Sequence, residues 1–308
     1  MTAGTVRWVV LAVALAVAVG LGLGLYADFG RLGNELESFR WELFPLALAL
    51  TSVNYLLRFW RWQRYLARLD IGVPAWQSFA IFVAGLSMTI SPAKLGEVLK
   101  SGLLRRSFAV PVRRSAPVVL AERVTDATGV VVLAVAGGAG TERWPLLLIA
   151  LAGVAVVVVA VRGRFLERFS VLGEAPGAAA ALLETRLLVE MTALSALSWF
   201  FECLAAYACV RGLRLDLSLA DTIAVFSLGS LAGALSFFPG GLGVAETSMT
   251  ALIRVLGDVP KAAAAAATVL IRLATLWFAV AVGLIALAVE ERLARPEARQ
   301  PARRSSMP

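Results

Sequence analysis

The chain contains no histidine and only two cysteines among its 308 residues. The lack of histidine removes the commonest general base and metal ligand. Cys203 and Cys209 lie six residues apart in one apolar segment, so they point to different sides of a helix. Their spacing indicates neither a disulfide nor a metal site. These absences count against acid–base and metal-dependent catalysis, and we expect no cofactor and no enzymatic activity.

Charge is also scarce, at 16% of residues, whereas 59% are hydrophobic and the mean hydropathy is +0.81. Soluble domains are about 45–50% apolar, and about 20 apolar residues span a bilayer. The sequence therefore predicts an all-α polytopic membrane protein with about six full spans and two broken segments. The expected apolar segments are 8–27, 42–59, 76–91, 117–140, 145–161, 187–210, 220–238 and 262–289.

The first of these segments could be a signal peptide, but its apolar part exceeds the usual length of about 7–15 residues and no clear cleavage site follows. We expect an uncleaved first span. The whole of 1–289 is then a single transmembrane domain, followed by a basic, disordered cytoplasmic tail over 290–308.

Two apolar segments end in helix breakers inside the predicted membrane. The first continues as SPAKLGEVLK over 91–100 and the second as FPGGLGVAE over 238–246. Proline removes a backbone donor, and a helix broken within the bilayer must be covered by protein or by a water-filled cavity. We expect re-entrant hairpins; the alternative is that the prolines only kink continuous spans. The predicted hairpin breakers are Pro92, Gly96, Pro239, Gly240, Gly241 and Gly243.

The basic residues indicate how these segments are oriented. With opposed hairpins, 20 of the 29 lysines and arginines fall on one side and 7 on the other, leaving Arg123 and Arg272 inside spans. By the positive-inside rule both termini are then cytoplasmic, and the net charge of +8 reflects topology and not nucleic-acid binding. Opposed hairpins are expected of an inverted repeat, with repeat one at about 8–140 and repeat two at about 145–289.

Charged residues recur at matching positions of the two repeats. An arginine follows Glu97 after 26 residues, and another follows Glu246 after 26 residues; these are Arg123 and Arg272. A charge at the centre of a membrane helix costs about 2.5–3.5 kcal/mol on insertion scales, so we expect these residues to pair inside the bundle. The pairs could bind substrate or could only hold the repeats together.

The broken segments favour an anionic ligand. A helix that restarts inside the membrane aims amide N–H groups and a partial positive charge at the cavity in front of it, which suits a phosphate. Lysine acts as a compact charge toward phosphate, and two of the three lysines lie in the first broken segment. Further intramembrane acids follow, of which Glu122 and Asp126 share a helix face. The predicted substrate-binding residues are Lys94, Glu97, Lys100, Glu122, Arg123, Asp126, Glu246 and Arg272.

Other charged stretches have simpler interpretations. RFWRWQRYLARL at 58–69 is predicted to be interfacial, with snorkelling arginines and with Trp60, Trp62 and Tyr65 at headgroup level. The arginines of 105–114 are expected to set topology and not to bind ligand.

Four motifs resemble a known family in their order along the chain. They are RFWRW, SPAKLGEVLKSGLLRR, ERVTDATG and FFPGGLGVAETSMTALI. Together they resemble the flippase-like, lysylphosphatidylglycerol synthase transmembrane family, which includes the membrane half of the bacterial multiple peptide resistance factor. The resemblance covers about 8–289. Many relatives read P-G-R-x-G-E at the first break, so Ala93 and Lys94 depart from the pattern whereas Gly96 and Glu97 match it.

The resemblance implies a lipid flippase or translocase of the bacterial inner membrane that moves a phosphate-bearing lipid, phospho- or polyprenyl-linked, between leaflets. Because no soluble aminoacyl-transfer domain is expected here, the resemblance implies translocation without synthesis. Two alternatives stay open: an integral-membrane transferase acting on a phospholipid with Glu97 or Glu246 as base, and a non-transporting scaffold for an envelope enzyme. The expected partners are membrane lipids, with a homo-oligomer or a partner enzyme possible.

Overall fold

The computed structural model describes residues 3–91, 98–138, 181–182, 184–236 and 238–294. All regular structure in these ranges is helical, which confirms the all-α class. The helices are α1 Ala3–Ala27, α2 Phe29–Glu37, α3 Leu43–Arg68, α4 Ala75–Leu86, α5 Leu99–Phe108, α6 Val112–Gly138, α7 Thr185–Gly212, α8 Leu219–Leu235, α9 Val244–Gly257, α10 Lys261–Arg272 and α11 Phe278–Ala294. The segment predicted at 145–161 lies outside the described residues.

Three helices within the described ranges are long and apolar enough to cross a membrane: Leu43–Arg68, Thr185–Gly212 and Lys261–Glu290. Shorter apolar helices, among them Ala75–Leu86 and Leu219–Leu235, lead into the two broken segments. The chain is therefore a helical membrane protein, as its composition predicts.

The carboxyl-terminal helix is the central element of this fold. It consists of α10, a π-helical turn at Leu273–Trp277, and α11. The alanines of 262–267 are buried on every side of the helix, so α10 is enclosed by its neighbours. On α11, Gly283 lies so close to the backbone of α4 that an added Cβ would come 2.1 Å from the nitrogen of Ser87. The helix continues to Ala294, past the predicted boundary at 289.

The second broken segment is an antiparallel helical hairpin. Gly229 and Gly233 of α8 pack against Met249 and Ala245 of α9, so residue numbers rise along one helix as they fall along the other. A 3-10 turn, Pro239–Gly241, closes the hairpin. Two glycines of this turn have φ angles of 61° and 67°, which glycine adopts without a steric penalty. The predicted break and restart of the helix are confirmed.

The closed end of this hairpin lies at the middle of the carboxyl-terminal helix. A Cβ added at Gly240 would lie 3.5 Å from the side chain of Leu276, in the π-helical turn, and 3.4 Å from the Cα of Ile90. Ile90 follows α4, so the end of the first broken segment meets the tip of the second. At the open end of the hairpin, Gly257 packs against Leu217. This open end leads directly into the start of α10.

The first broken segment reaches the same place from the other direction. Ser87 lies against Gly283, and further along the chain Ile90 packs against Val280 and Leu276. Residue numbers therefore fall along the carboxyl-terminal helix as α4 runs toward its end. The two broken segments thus approach the middle of one helix from its opposite ends.

Helices α3 and α7 run antiparallel. Basic residues that the sequence assigned to opposite sides of the membrane lie at opposite ends of this helix pair. Before α3 begins, Arg40 donates to the carbonyl oxygen of Arg211 at the end of α7, at 2.7 Å. Where α3 ends, Arg68 pairs with Glu184 at the start of α7, at 2.8 Å. The residues assigned to different sides by the sequence are thus separated by the full length of two antiparallel helices.

The structure differs from the sequence analysis in two places. The amphipathic helix α2 was not predicted, although Asp28 caps it by accepting from the amides of Gly30 and Arg31. In the stretch at 58–69, Trp60 and Arg64 are exposed, but α3 continues through it and buries Arg61 and Trp62 completely, against the prediction. Polar groups on neighbouring helices bind these side chains, so they do not need to reach the headgroup level.

Candidate functional site

Asp126 on α6 is the centre of a buried polar cluster. Its Oδ1 accepts hydrogen bonds from Arg61 Nη1 at 2.6 Å, from Ser195 Oγ at 2.9 Å and from Trp199 Nε1 at 3.1 Å. Arg61 lies on α3, and the other two donors lie on α7. One carboxylate therefore ties three helices together, and charged hydrogen bonds of this kind are among the strong ones in proteins.

Two further arginines approach the other oxygen of the same carboxylate. Oδ2 of Asp126 lies 3.0 Å from Nη2 of Arg123 and 3.7 Å from Nη2 of Arg58. Arg58 and Arg61 are 5% and 0% exposed, whereas the side chain of Arg123 is 22% exposed. We call Asp126 and the three arginines the Asp126 cluster. It reaches the surface of the molecule at Arg123.

A second ion pair lies beside this cluster. Nζ of Lys100 on α5 is 2.5 Å from Oε2 of Glu122 on α6, and both side chains are buried. The ammonium group also lies 4.6 Å from the ring centroid of Trp62 and 5.4 Å from that of Phe82. An aromatic face attracts a cation at this range. The pair attaches the helix after the first break to the bundle.

The predicted pair between Glu246 and Arg272 is confirmed. Arg272 Nε donates to Glu246 Oε1 at 2.5 Å, and its Nη2 donates to the carbonyl oxygen of Gly240 at 2.8 Å. The other carboxylate oxygen of Glu246 accepts from the amide of Gly243 at 2.6 Å. Glutamate at this position of a first helical turn satisfies an otherwise unpaired amide. The pair therefore holds both the turn and the restarted helix against α10.

Four of the predicted positions, namely Pro92, Lys94, Gly96 and Glu97, lie outside the described residues. The proposed pairing of Glu97 with Arg123 falls there too; within the described ranges, Arg123 pairs with Asp126. The remaining predicted residues form the Asp126 cluster, the Lys100–Glu122 pair and the Glu246–Arg272 pair. These residues therefore form separate buried groups, in which each acid is paired with at least one cation.

Arg58, Arg61, Ser195 and Trp199 were not among the predicted site residues. A signal for the first two exists in the sequence. Asn54, Arg58, Arg61 and Tyr65 recur at intervals of four, three and four residues, and all four side chains are buried. Such a spacing places them on one face of α3. A polar face on an otherwise apolar membrane helix indicates that this face meets protein, not lipid.

The described residues contain no group of three or more cysteine, aspartate or glutamate side chains that could hold a metal ion. Both cysteines are buried and free. The chemistry that the site offers is electrostatic: buried guanidinium and ammonium groups paired with carboxylates.

Two proteins from Methanothermobacter thermautotrophicus, each described as a UPF0104 membrane protein, are similar to parts of this chain. One is 38% identical over 92 residues, which are 30% of this chain and 27% of the relative. The other is 34% identical over 106 residues, 34% of this chain and 31% of the relative. These matches span about a third of the relatives or less. A family model matches far more of the chain, over residues 11–283, and the chain therefore belongs to the family described as "Lysylphosphatidylglycerol synthase TM region".

Proposed function

We propose that this protein moves a phosphate-bearing lipid between the two leaflets of a cell membrane, without covalent chemistry. The observation that carries the proposal is the meeting of two broken segments at the middle of one helix, with buried charges beside both. Membership of a family named for a lipid synthase's membrane region supports a role in lipid handling. In this proposal the binding partner of the protein is a membrane lipid.

The proposal places both broken segments inside the bilayer as re-entrant hairpins. Helices α8 and α9 have 17 and 14 residues, or about 25 and 21 Å, whereas the hydrocarbon is about 30 Å thick. Their shared tip touches Leu276, near the midpoint of Lys261–Glu290. A hairpin with its tip at mid-depth and both open ends at one side does not cross the membrane.

The same contacts support an inverted repeat, which is part of the proposal. The first broken segment approaches from the Ala294 end of the carboxyl-terminal helix and the second from the Lys261 end. Three of the 20 basic residues that the sequence assigned to the first end, Arg58, Arg61 and Lys100, are buried and cannot report on topology. The other 17 still outnumber the 7 at the opposite end, which supports cytoplasmic termini.

The mechanism follows from the cost of broken helices in lipid. Their unpaired amides and carbonyls must be covered by protein or by water, so movement of either hairpin opens a polar path to mid-depth from its own side. A headgroup could then exchange its hydration for contacts with the buried cations while its acyl chains stay in the bilayer. Alternation between the two hairpins would release it on the other side.

The test is lipid movement in liposomes that hold the purified protein. Fluorescent lipids labelled on an acyl chain are reduced chemically from outside, with no nucleotide added, and we expect the protein to make the inner-leaflet label accessible. Glu246→Gln should slow this movement, because the side chain loses its charge at nearly constant volume. Arg106→Gln, which alters an exposed arginine of α5, is the matched control. If wild-type and empty liposomes behave alike for every headgroup, the proposal fails.

A further inference from the structure

We infer that α3 and α7 together bind a monovalent metal cation, expected to be sodium, through oxygens of Thr51, Asn54 and Glu202. These residues lie near the middle of Leu43–Arg68 and Thr185–Gly212, two helices long and apolar enough to cross the membrane. The ion would therefore be held at mid-depth. It would be bound whether or not a lipid moves, so the site is independent of the proposed function.

Two buried oxygens on α3 have no hydrogen-bond partner. Asn54 Nδ2 donates to the carbonyl oxygen of Ser198 at 2.8 Å, which places this amide between α3 and α7. Its other polar atom, Oδ1, accepts no hydrogen bond from the described residues, and Thr51 Oγ1 has no partner among them either. Both residues are 0% exposed. Unpaired polar atoms are costly in such a position, so each of these oxygens needs a donor or a cation.

Thr51 also departs from the pattern of other threonines inside helices. A hydroxyl there commonly donates to the carbonyl oxygen four residues earlier. Five threonines of the described ranges make this hydrogen bond: Thr125, Thr128, Thr222, Thr268 and Thr275. Thr51 lies inside α3 and makes no such bond, so local bonding within the helix does not account for its hydroxyl.

The register of the two helices brings an acid to the same level. Because α3 and α7 run antiparallel, the turn before Asn54 faces the turn after Ser198. Thr51 precedes Asn54 by three residues and Glu202 follows Ser198 by four, and both spacings keep a side chain on one helix face. Glu202 is buried, and its charge acts on the hydroxyl of Tyr55, the residue after Asn54.

A carboxylate, an amide oxygen and a hydroxyl form a suitable set of ligands for a small, hard cation, which prefers oxygen. One carboxylate balances one positive charge, so the set favours a monovalent ion. Glu202 can keep other contacts as well, because an ionised carboxylate has about four lone-pair sites. Ion sites in membrane transporters commonly lie near the middle of the bilayer, as this one would.

The neighbouring cation on α3 lies on the other side of Asn54. Arg58 follows Asn54 by four residues, whereas Thr51 precedes it. The Nη2 of Arg58 lies 3.7 Å from Asp126 Oδ2, so its guanidinium extends toward the Asp126 cluster. The proposed ion and this guanidinium are thus on opposite sides of the hydrogen bond between Asn54 and Ser198.

The experiment measures the unfolding temperature of the full chain in detergent, with sodium chloride or choline chloride at equal concentration. Sodium at about ten times its dissociation constant should raise this temperature by about 2–4 °C over choline. Thr51→Val keeps the shape of the side chain and removes its oxygen, so it should abolish the shift. In choline the variant should unfold no earlier than the wild type, because it also removes an unpaired buried hydroxyl.

Thr250→Val on α9 is the matched control. Its hydroxyl bonds to Thr268, so the variant should unfold at a lower temperature but keep the full shift with sodium. Titration calorimetry of the wild-type protein with sodium, in choline buffer, should show one site per chain and needs no variant. Equal unfolding temperatures of the wild type in sodium and choline, as for oxygens that bind only water, would overturn the inference. A sodium shift that survives Thr51→Val would overturn it as well.

Discussion

The two broken segments use opposite arrangements of charge. In the second, the acid Glu246 lies on the restarted helix and the base Arg272 on the helix that follows. In the first, the base Lys100 lies on the restarted helix and the acid Glu122 on the helix that follows. The second half thus contains one neutral pair, bonded also to its own turn, whereas the first half is joined to the Asp126 cluster. In the second half the ion pair holds a turn in place, and in the first half it attaches the restarted helix to α6.

The largest effect that this comparison predicts is an all-or-none difference in labelling. Ser107→Cys lies at the open end of the first segment and Asp216→Cys at the open end of the second, and both positions are exposed. A membrane-impermeant thiol reagent should label Asp216→Cys from outside the cell and Ser107→Cys only after the membrane is opened. The wild-type chain is the blank, because Cys203 and Cys209 are buried. Labelling of both positions from one side would end the inverted-repeat interpretation.

The next effect is on stability, through Arg272→Ala. The substitution leaves the carboxylate of Glu246 buried without its cation and removes the donor to Gly240. We expect a loss of about 3–5 kcal/mol in the free energy of unfolding, measured by denaturation in detergent micelles. The double variant Glu246→Gln with Arg272→Gln should recover part of this loss, since no unpaired charge remains. Equal losses for the single and double variants would contradict the explanation that the loss comes from an unpaired buried charge.

A smaller loss is expected from Gly241→Ala in the turn of the second hairpin. A non-glycine residue at this φ costs about 1–2 kcal/mol, and the added Cβ would lie 2.8 Å from the Cα of Gly233, so we expect about 2–3 kcal/mol in total. Gly240→Ala is the control, because its φ is similar while its nearest neighbour would be 3.4 Å away. Equal unfolding midpoints for the two variants would show that the close approach of α8 to the turn is not needed.

The smallest effect should come from Arg123→Ala in the first half. Asp126 keeps Arg58, Arg61, Ser195 and Trp199, and the Arg123 side chain is partly exposed. We expect a loss of about 1 kcal/mol in unfolding free energy, compared with less than about 0.5 kcal/mol for Arg106→Ala on the surface. A loss as large as that of Arg272→Ala would contradict the contrast between the halves.

Much of the architecture could be predicted because a bilayer limits membrane-spanning segments to long apolar helices with few charges. The apolar segments predicted the long helices, and proline and glycine predicted the break at 239–241. The cost of an isolated charge in lipid predicted that Arg272 has a buried acid as its partner. Each of these inferences needs only the local sequence and one property of the bilayer.

The Asp126 cluster could not be predicted in the same way. Whether Arg58 and Arg61 snorkel or are buried depends on what the neighbouring helices present to them, and those partners are 64 or more residues away in the chain. An aromatic and arginine-rich stretch has the same composition at an interface as in a core. The helix α2 was missed because its nine residues are too few and too polar to register beside long apolar runs.

The π-helical turn at Leu273–Trp277 sets the rotational phase of the carboxyl-terminal helix. A π turn holds one more residue than an α turn, and a residue corresponds to about 100° of rotation. The side of α10 that carries Arg272 and the side of α11 that carries Gly283 are therefore offset from their positions in a regular helix. Deleting one residue here would restore regular α-helix. The faces of α10 and α11 would then rotate relative to each other, so that only one of the two broken segments could keep its contacts with the carboxyl-terminal helix. The hydroxyl of Tyr55 on α3 donates to the carbonyl oxygen of Thr275 at 3.3 Å, and this hydrogen bond attaches the π-helical turn to α3.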